Sequence, residues 1–117
     1  MRVQNLNSPS FGAVYQKDIK RILEANVTTK QLTKHLKQTA QLDKLSTANG
    51  VNIYYEEGPK GVINQYVMED KNTKNMLYRE FLPKEIGTRK SHKKTIGLVE
   101  KLIAIMRKNE QLAQIDQ

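Results

Sequence analysis

Between residues 51 and 82 the chain breaks into three short runs rich in β-branched and aromatic residues, and on both sides of that block the apolar positions recur at helical intervals. Val51, Ile53 and Tyr55 alternate with Asn52, Tyr54 and Glu56, the pattern of a half-buried strand. Further runs follow at Val62–Glu69 and Asn75–Leu82. Two turn-rich stretches separate the three, Glu57-Gly58-Pro59-Lys60-Gly61 and Asp70-Lys71-Asn72-Thr73-Lys74. Connections this short make neighbouring strands antiparallel, so the block predicts a three-stranded meander. In the third strand Leu77 and Phe81 share a face with Arg79, while Met76, Tyr78 and Leu82 share the other. Pro83, lacking a ladder donor, ends it.

Helical spacing flanks the meander. Tyr15, Ile19, Ile22 and Leu23 predict a short helix over 14–25. A second helix starts at Thr28 and Gln31, which form a capping box, with Val27 and Leu32 at the staple positions. Its apolar face holds Leu32, His35, Leu36, Thr39 and Leu42, and Asn49-Gly50 is its left-handed stop. Lys84–Lys94 reads as a loop carrying the basic run Arg89-Lys90-Ser91-His92-Lys93-Lys94. The closing helix, Thr95–Ala113, has an apolar centre at Ile96, Val99, Leu102, Ile103 and Met106, wide enough to lie across the sheet face bearing Ile53. The expectation is one α+β domain over 14–117, a three-stranded antiparallel meander packed against helices in the order α-α-β-β-β-α. A flexible polar arm, residues 1–13, precedes it.

Composition narrows the function classes. At 117 residues the chain makes one domain, and without cysteine it has no disulfide, zinc-thiolate or thiol-nucleophile chemistry. No apolar run approaches the roughly 18 residues of a membrane helix. Met1–Gly12 lacks the apolar core of a signal peptide, so a cytoplasmic setting is the default. Net charge is +8, unevenly spread. Residues 1–50 carry eight basic and three acidic side chains, 51–85 carry five and six, and 86–117 carry seven and three. The surplus sits on the helical segments, which suits nucleic acid, an acidic protein or a lipid head group. A solvated lysine-rich surface is the alternative.

Catalytic signals are thin. His35 lies on an apolar helical face, which suits a satisfied histidine, and His92 lies in a cationic run that disfavours its protonated form. Ser91 and His92 are adjacent, which rarely gives nucleophile–base geometry. Glu56-Glu57 and Glu69-Asp70 mark hairpin ends, and no metal-ligand spacing or cofactor motif occurs. The basic run is the main functional feature: Arg89, Lys90, Lys93 and Lys94 before a helix start can neutralise phosphates without reading sequence. The expectation is a non-catalytic module that binds an anionic partner through a basic loop, 89–94, with no metal and no cofactor.

Two families share features with these residues. The α-β-β-β-α order of residues 28–113, Tyr55 followed by Gly58-Pro59, and Lys93-Lys94 before the last helix resemble the double-stranded-RNA-binding domain. Ile96, Leu98 and Val99 stand where that family has alanines. Asp70-Lys71-Asn72-Thr73 with Arg79-Glu80-Phe81-Leu82-Pro83-Lys84-Glu85 resembles the Asp-x-x-Thr and Arg-Glu-Ile-Pro-Pro run of the FlaG family of flagellar accessory proteins. It departs by an extra residue at Tyr78, by Leu82 in place of the first proline and by the basic insertion. That resemblance, over residues 51–85, implies a protein-interaction role without enzymatic activity.

Overall fold

The computed structural model describes residues 13–71 and 75–115. All of the expected N-terminal arm except Ala13, and Asn72, Thr73 and Lys74 of the second turn, lie outside the described residues. The fold is α+β, with a four-stranded mixed sheet rather than the three-stranded antiparallel meander that the runs and short turns predict. The strands are β1 (Val14–Tyr15), β2 (Val51–Glu57), β3 (Ile63–Glu69) and β4 (Met76–Phe81), in spatial order β1-β2-β3-β4. β1 runs parallel to β2; the other two pairings are antiparallel. The helices are α1 (Lys20–Asn26), α2 (Thr29–Asn49) and α3 (Arg89–Ile115), so the chain order is β-α-α-β-β-β-α.

The added strand comes from the stretch expected to open the first helix. Ala13 and Val14-Tyr15 add to the free edge of β2, where the Ile53 amide donates to the Ala13 carbonyl at 2.7 Å. The Ala13 amide is in turn held by Asp43 Oδ1 of α2 at 2.8 Å. Two residues are too few to display a period of two, so this pairing is dictated by tertiary contact and leaves no local signature. A 3-10 turn at Lys17–Ile19 then leads into α1.

Helix α2 begins and ends as its sequence predicts. Gln31 N–H donates to Thr28 Oγ1 and Thr28 N–H to Gln31 Oε1, both at 3.1 Å. Gly50 takes φ 67°, the left-handed conformation that closes the helix. The helices bury one sheet face. Ile53, Ile63 and Val67 meet Ile19, Leu42, Val99 and Leu102 in a single cluster, with Ile96, Ile103 and Met106 packed against it. No described helix is long and apolar enough to cross a membrane.

Candidate anion-binding face

Helix α3 starts six residues before Thr95, so the expected basic loop is its first turns. The reason lies in two small polar residues. Ser91 and Thr95, four apart and therefore on one helical face, are buried against the sheet. There they meet Arg79, whose Nη2 donates to Ser91 Oγ at 2.6 Å, to the Ser91 carbonyl at 3.0 Å and to Thr95 Oγ1 at 3.1 Å. Arg79 Nε donates to Gln65 Oε1 at 2.8 Å, and Gln65 Nε2 donates to the Tyr55 hydroxyl at 3.0 Å. Tyr55, Gln65 and Arg79 are paired neighbours on β2, β3 and β4, so a polar stripe crosses the apolar face and fixes the start of α3. The guanidinium also lies 4.3 Å from the centre of the Phe81 ring. Burial holds its pKa below the usual arginine value. Among the described residues no carboxylate pairs with it; neutral oxygens satisfy it instead.

Thr88 caps the helix, accepting the Ser91 N–H on Oγ1 at 3.2 Å and the His92 N–H on its carbonyl at 3.1 Å. Two glutamines of α2 hold the preceding connection, and a third meets α3 itself. Gln31 Nε2 donates to the carbonyls of Pro83, Lys84 and Ile86, Gln38 Nε2 to those of Gly87 and Thr88, and Gln41 meets His92 Nε2 at 3.1 Å. Gly87 passes so close to α2, at φ 82°, that a Cβ there would lie 2.6 Å from the Gln31 carbonyl oxygen. The glutamines sit seven and three residues apart, a helical stripe that an apolar pattern does not reveal.

With Ser91 and Thr95 turned inward, Arg89, Lys90, Lys93 and Lys94 fall on the opposite side, within an arc of about 140°. All four are exposed, and among the described residues the ion pairs are Lys20–Glu24 and Arg21–Glu57, so none of the four is neutralised. The same arc continues along α3 through Lys101, Arg107 and Lys108, interrupted by Glu100. This stripe runs about 28 Å. On α2, the exposed Lys34 and Lys37 project within about 40° of the direction of Gln41, so the basic surface spans the α2–α3 seam. Net charge alone foreshadowed the continuation; its place on one face required the helix start.

The histidines do not form a catalytic pair with Ser91. Ser91 faces the sheet and Arg79, whereas His92 faces α2. His35 is buried, bonded to Gln16 Oε1 at 2.6 Å and set edge-on to Tyr55. Burial and the nearby His92 push its pKa down to about 4. Burial also lowers that of His92, a cause different from the cationic neighbours in its sequence. The space between His35, Tyr55, Arg79 and Ser91 amounts to about 10 Å³. That is room for one water, far below the roughly 300 Å³ at which small-molecule sites begin. Among the described residues no three His, Asp or Glu side chains gather as a metal site.

The hairpin-end carboxylates have structural partners. Glu57 pairs with Arg21, Glu69 accepts from Asn75, and Asp70 accepts from Asn52. The FlaG-like run is distributed similarly: Arg79 and Phe81 face the helices, Glu80 faces outward, and Pro83 opens a 3-10 turn in which Glu85 accepts the Leu82 N–H. Comparison with models of protein families, with curated proteins and with solved structures finds no match to this chain.

Proposed function

We propose that the protein is a non-catalytic module that binds an anionic partner, nucleic acid foremost, along the exposed face of α3, in a cytoplasmic setting. One observation carries this reading: Arg89, Lys90, Lys93 and Lys94 share an unneutralised arc that Lys101, Arg107 and Lys108 prolong. A rigid helix holds these charges at fixed spacing, so their potentials overlap within the Debye length of roughly 8 Å at physiological salt. Phosphates meeting them release counterions, and affinity then falls steeply with salt. No aromatic side chain interleaves the stripe, so base stacking is absent and binding is sequence-tolerant, with dissociation constants of roughly micromolar or weaker. The FlaG-like reading, an accessory protein-interaction role, rests on the likeness of residues 51–85 alone.

Fluorescence anisotropy with mixed RNA and DNA oligomers tests the proposal. Wild type binds at low salt and loses affinity as salt rises. A variant with Arg89, Lys90, Lys93 and Lys94 all changed to Gln binds at least tenfold more weakly at the same salt. Equal binding by both proteins, or none at low salt, overturns the reading; saturable binding of an acidic protein but of no oligomer moves it to the acidic-partner form.

A further inference from the structure

The sheet face turned away from the helices is crossed by one row of tyrosines. Tyr15 is the strand neighbour of Tyr54, Tyr54 of Tyr66, and Tyr66 of Tyr78. Four of the chain's five tyrosines thus stand side by side on all four strands. Their rings form two pairs, Tyr15–Tyr54 stacked at 4.7 Å and Tyr66–Tyr78 tilted at 5.3 Å. No described element covers the row, and Tyr15 and Tyr78 are 45% and 48% exposed.

The next row along the strands is Glu56, Asn64 and Glu80. The tyrosine hydroxyls aim its carboxylates: Tyr66 donates to Glu56 Oε1 at 3.3 Å and Tyr78 to Glu80 Oε2 at 2.9 Å. One oxygen of each carboxylate is thereby left for another donor. The strands place no lysine or arginine on this face. A protein of net charge +8 therefore presents, on the side opposite its basic helix, an aromatic surface edged with negative charge.

We infer that this face docks a cationic, extended segment of a partner protein, whose arginine or lysine side chains lie on the tyrosine rings and end on Glu56 and Glu80. Tyrosine faces attract guanidinium and ammonium groups, and a carboxylate at the ring edge completes a charge-assisted hydrogen bond. The spacing selects the segment. Glu56 and Glu80 are both strand neighbours of Asn64, so their backbones stand two strand intervals apart, about 9.6 Å. A polyproline II chain repeats every three residues, about 9.3 Å. Basic residues three apart in such a chain, running across the strands, meet both carboxylates while the intervening residues rest on the tyrosines, as proline-rich segments do in aromatic-lined grooves. Nucleic acid fits poorly, because bases stacked on this row would carry phosphates against Glu56 and Glu80.

The probe is a fluorescent peptide of about twelve residues repeating arginine-proline-proline, titrated at physiological salt. Wild type binds it saturably. Glu56→Gln with Glu80→Gln, both exposed and outside the core, weakens binding about tenfold, since each exposed charge pair contributes roughly two- to fivefold. The α3 variant with four glutamines binds the peptide at least as well as wild type, which separates this face from the basic one. Three results overturn the inference: no saturable binding, the same affinity after both glutamate changes, or equal binding of a glutamate-proline-proline peptide. An oligonucleotide that the α3 variant still binds and that Tyr54→Ala releases would overturn it in favour of a stacking platform for bases.

Discussion

The two faces of one sheet solve the same problem in opposite ways. On the inner face the strands give Ile53, Ile63 and Val67 to the core, and the polar stripe Tyr55–Gln65–Arg79 is completed by Ser91 and Thr95 from α3. On the outer face the polar groups answer one another within the sheet, tyrosine hydroxyl to glutamate, and no described helix is needed. The inner face is thus a set of interdependent contacts in which each loss strands a partner. On its outer counterpart the carboxylates Glu56 and Glu80 stand beside water, where a lost partner is replaced by solvent. Stability concentrates on the first face, and the partners proposed above would meet the second face and the exposed arc of α3.

The largest effect separating the faces is expected from truncation. Leu102 is fully buried in the core cluster, and Leu102→Ala is expected to cost about 3 kcal/mol, within the usual span of large-to-small core changes. Met76 lies on the outer face at 48% exposed, and Met76→Ala is expected to stay within about 0.5 kcal/mol. Urea unfolding of both variants checks the pair. A similar loss for Met76 would mean that the outer face is also core, and that the division drawn here is wrong.

The second effect is a pH dependence seated under the inner face. His35 has a folded pKa near 4, against 6.5 for the free side chain, because its site excludes the charged form. Below pH 6.5 the unfolded chain binds a proton that the folded one refuses, so stability falls as the pH drops and levels off below about 4. At 1.36 kcal/mol per unit, the loss is about 3 kcal/mol at most. His35→Gln is expected to flatten the midpoint-versus-pH curve between pH 6.5 and 4, although it is less stable at pH 7. An unchanged slope would assign the acid sensitivity to other groups.

What the sequence made legible follows from how far each signal reaches. Runs of β-branched and aromatic residues between turn-rich gaps located β2, β3 and β4 to within a residue or so, and the Thr28–Gln31 box located the start of α2, because both are local physics. Val14-Tyr15 read as helix because a two-residue strand exists only by leave of its neighbour. The basic run read as loop because Ser91 and Thr95 look polar; only Arg79 and Gln65, distant in sequence, make them interior. The four basic residues were therefore visible as a charge cluster but not as one helical arc. Tyr54, Tyr66 and Tyr78 were visible on their strands and Tyr15 read as helical, but their alignment depends on strand register, which the turns do not spell out.

The finest contrast uses one substitution on both faces. Tyr55 is buried, and its hydroxyl is the acceptor for Nε2 of Gln65, which is itself fully buried. Tyr55→Phe removes that acceptor, so the buried amide loses its protein partner beside a space with room for one water at most. The expected cost is about 1–2 kcal/mol, and because Gln65 also accepts from Arg79 and Thr95, Gln65→Leu in the same background should not be additive with it. Tyr78→Phe deletes a hydroxyl that donates to Glu80 and Asn64 on the exposed side. Solvent takes over the exposed Glu80 carboxylate, whereas Asn64 is only 9% exposed, so the unfolding midpoint should move less than for Tyr55→Phe. What Tyr78→Phe should alter is the aim of Glu80, and with it the affinity for the arginine-proline-proline peptide. A midpoint shift as large for Tyr78→Phe as for Tyr55→Phe would show that the tyrosine row is structural, and that the carboxylates beside it are not held in readiness for a partner.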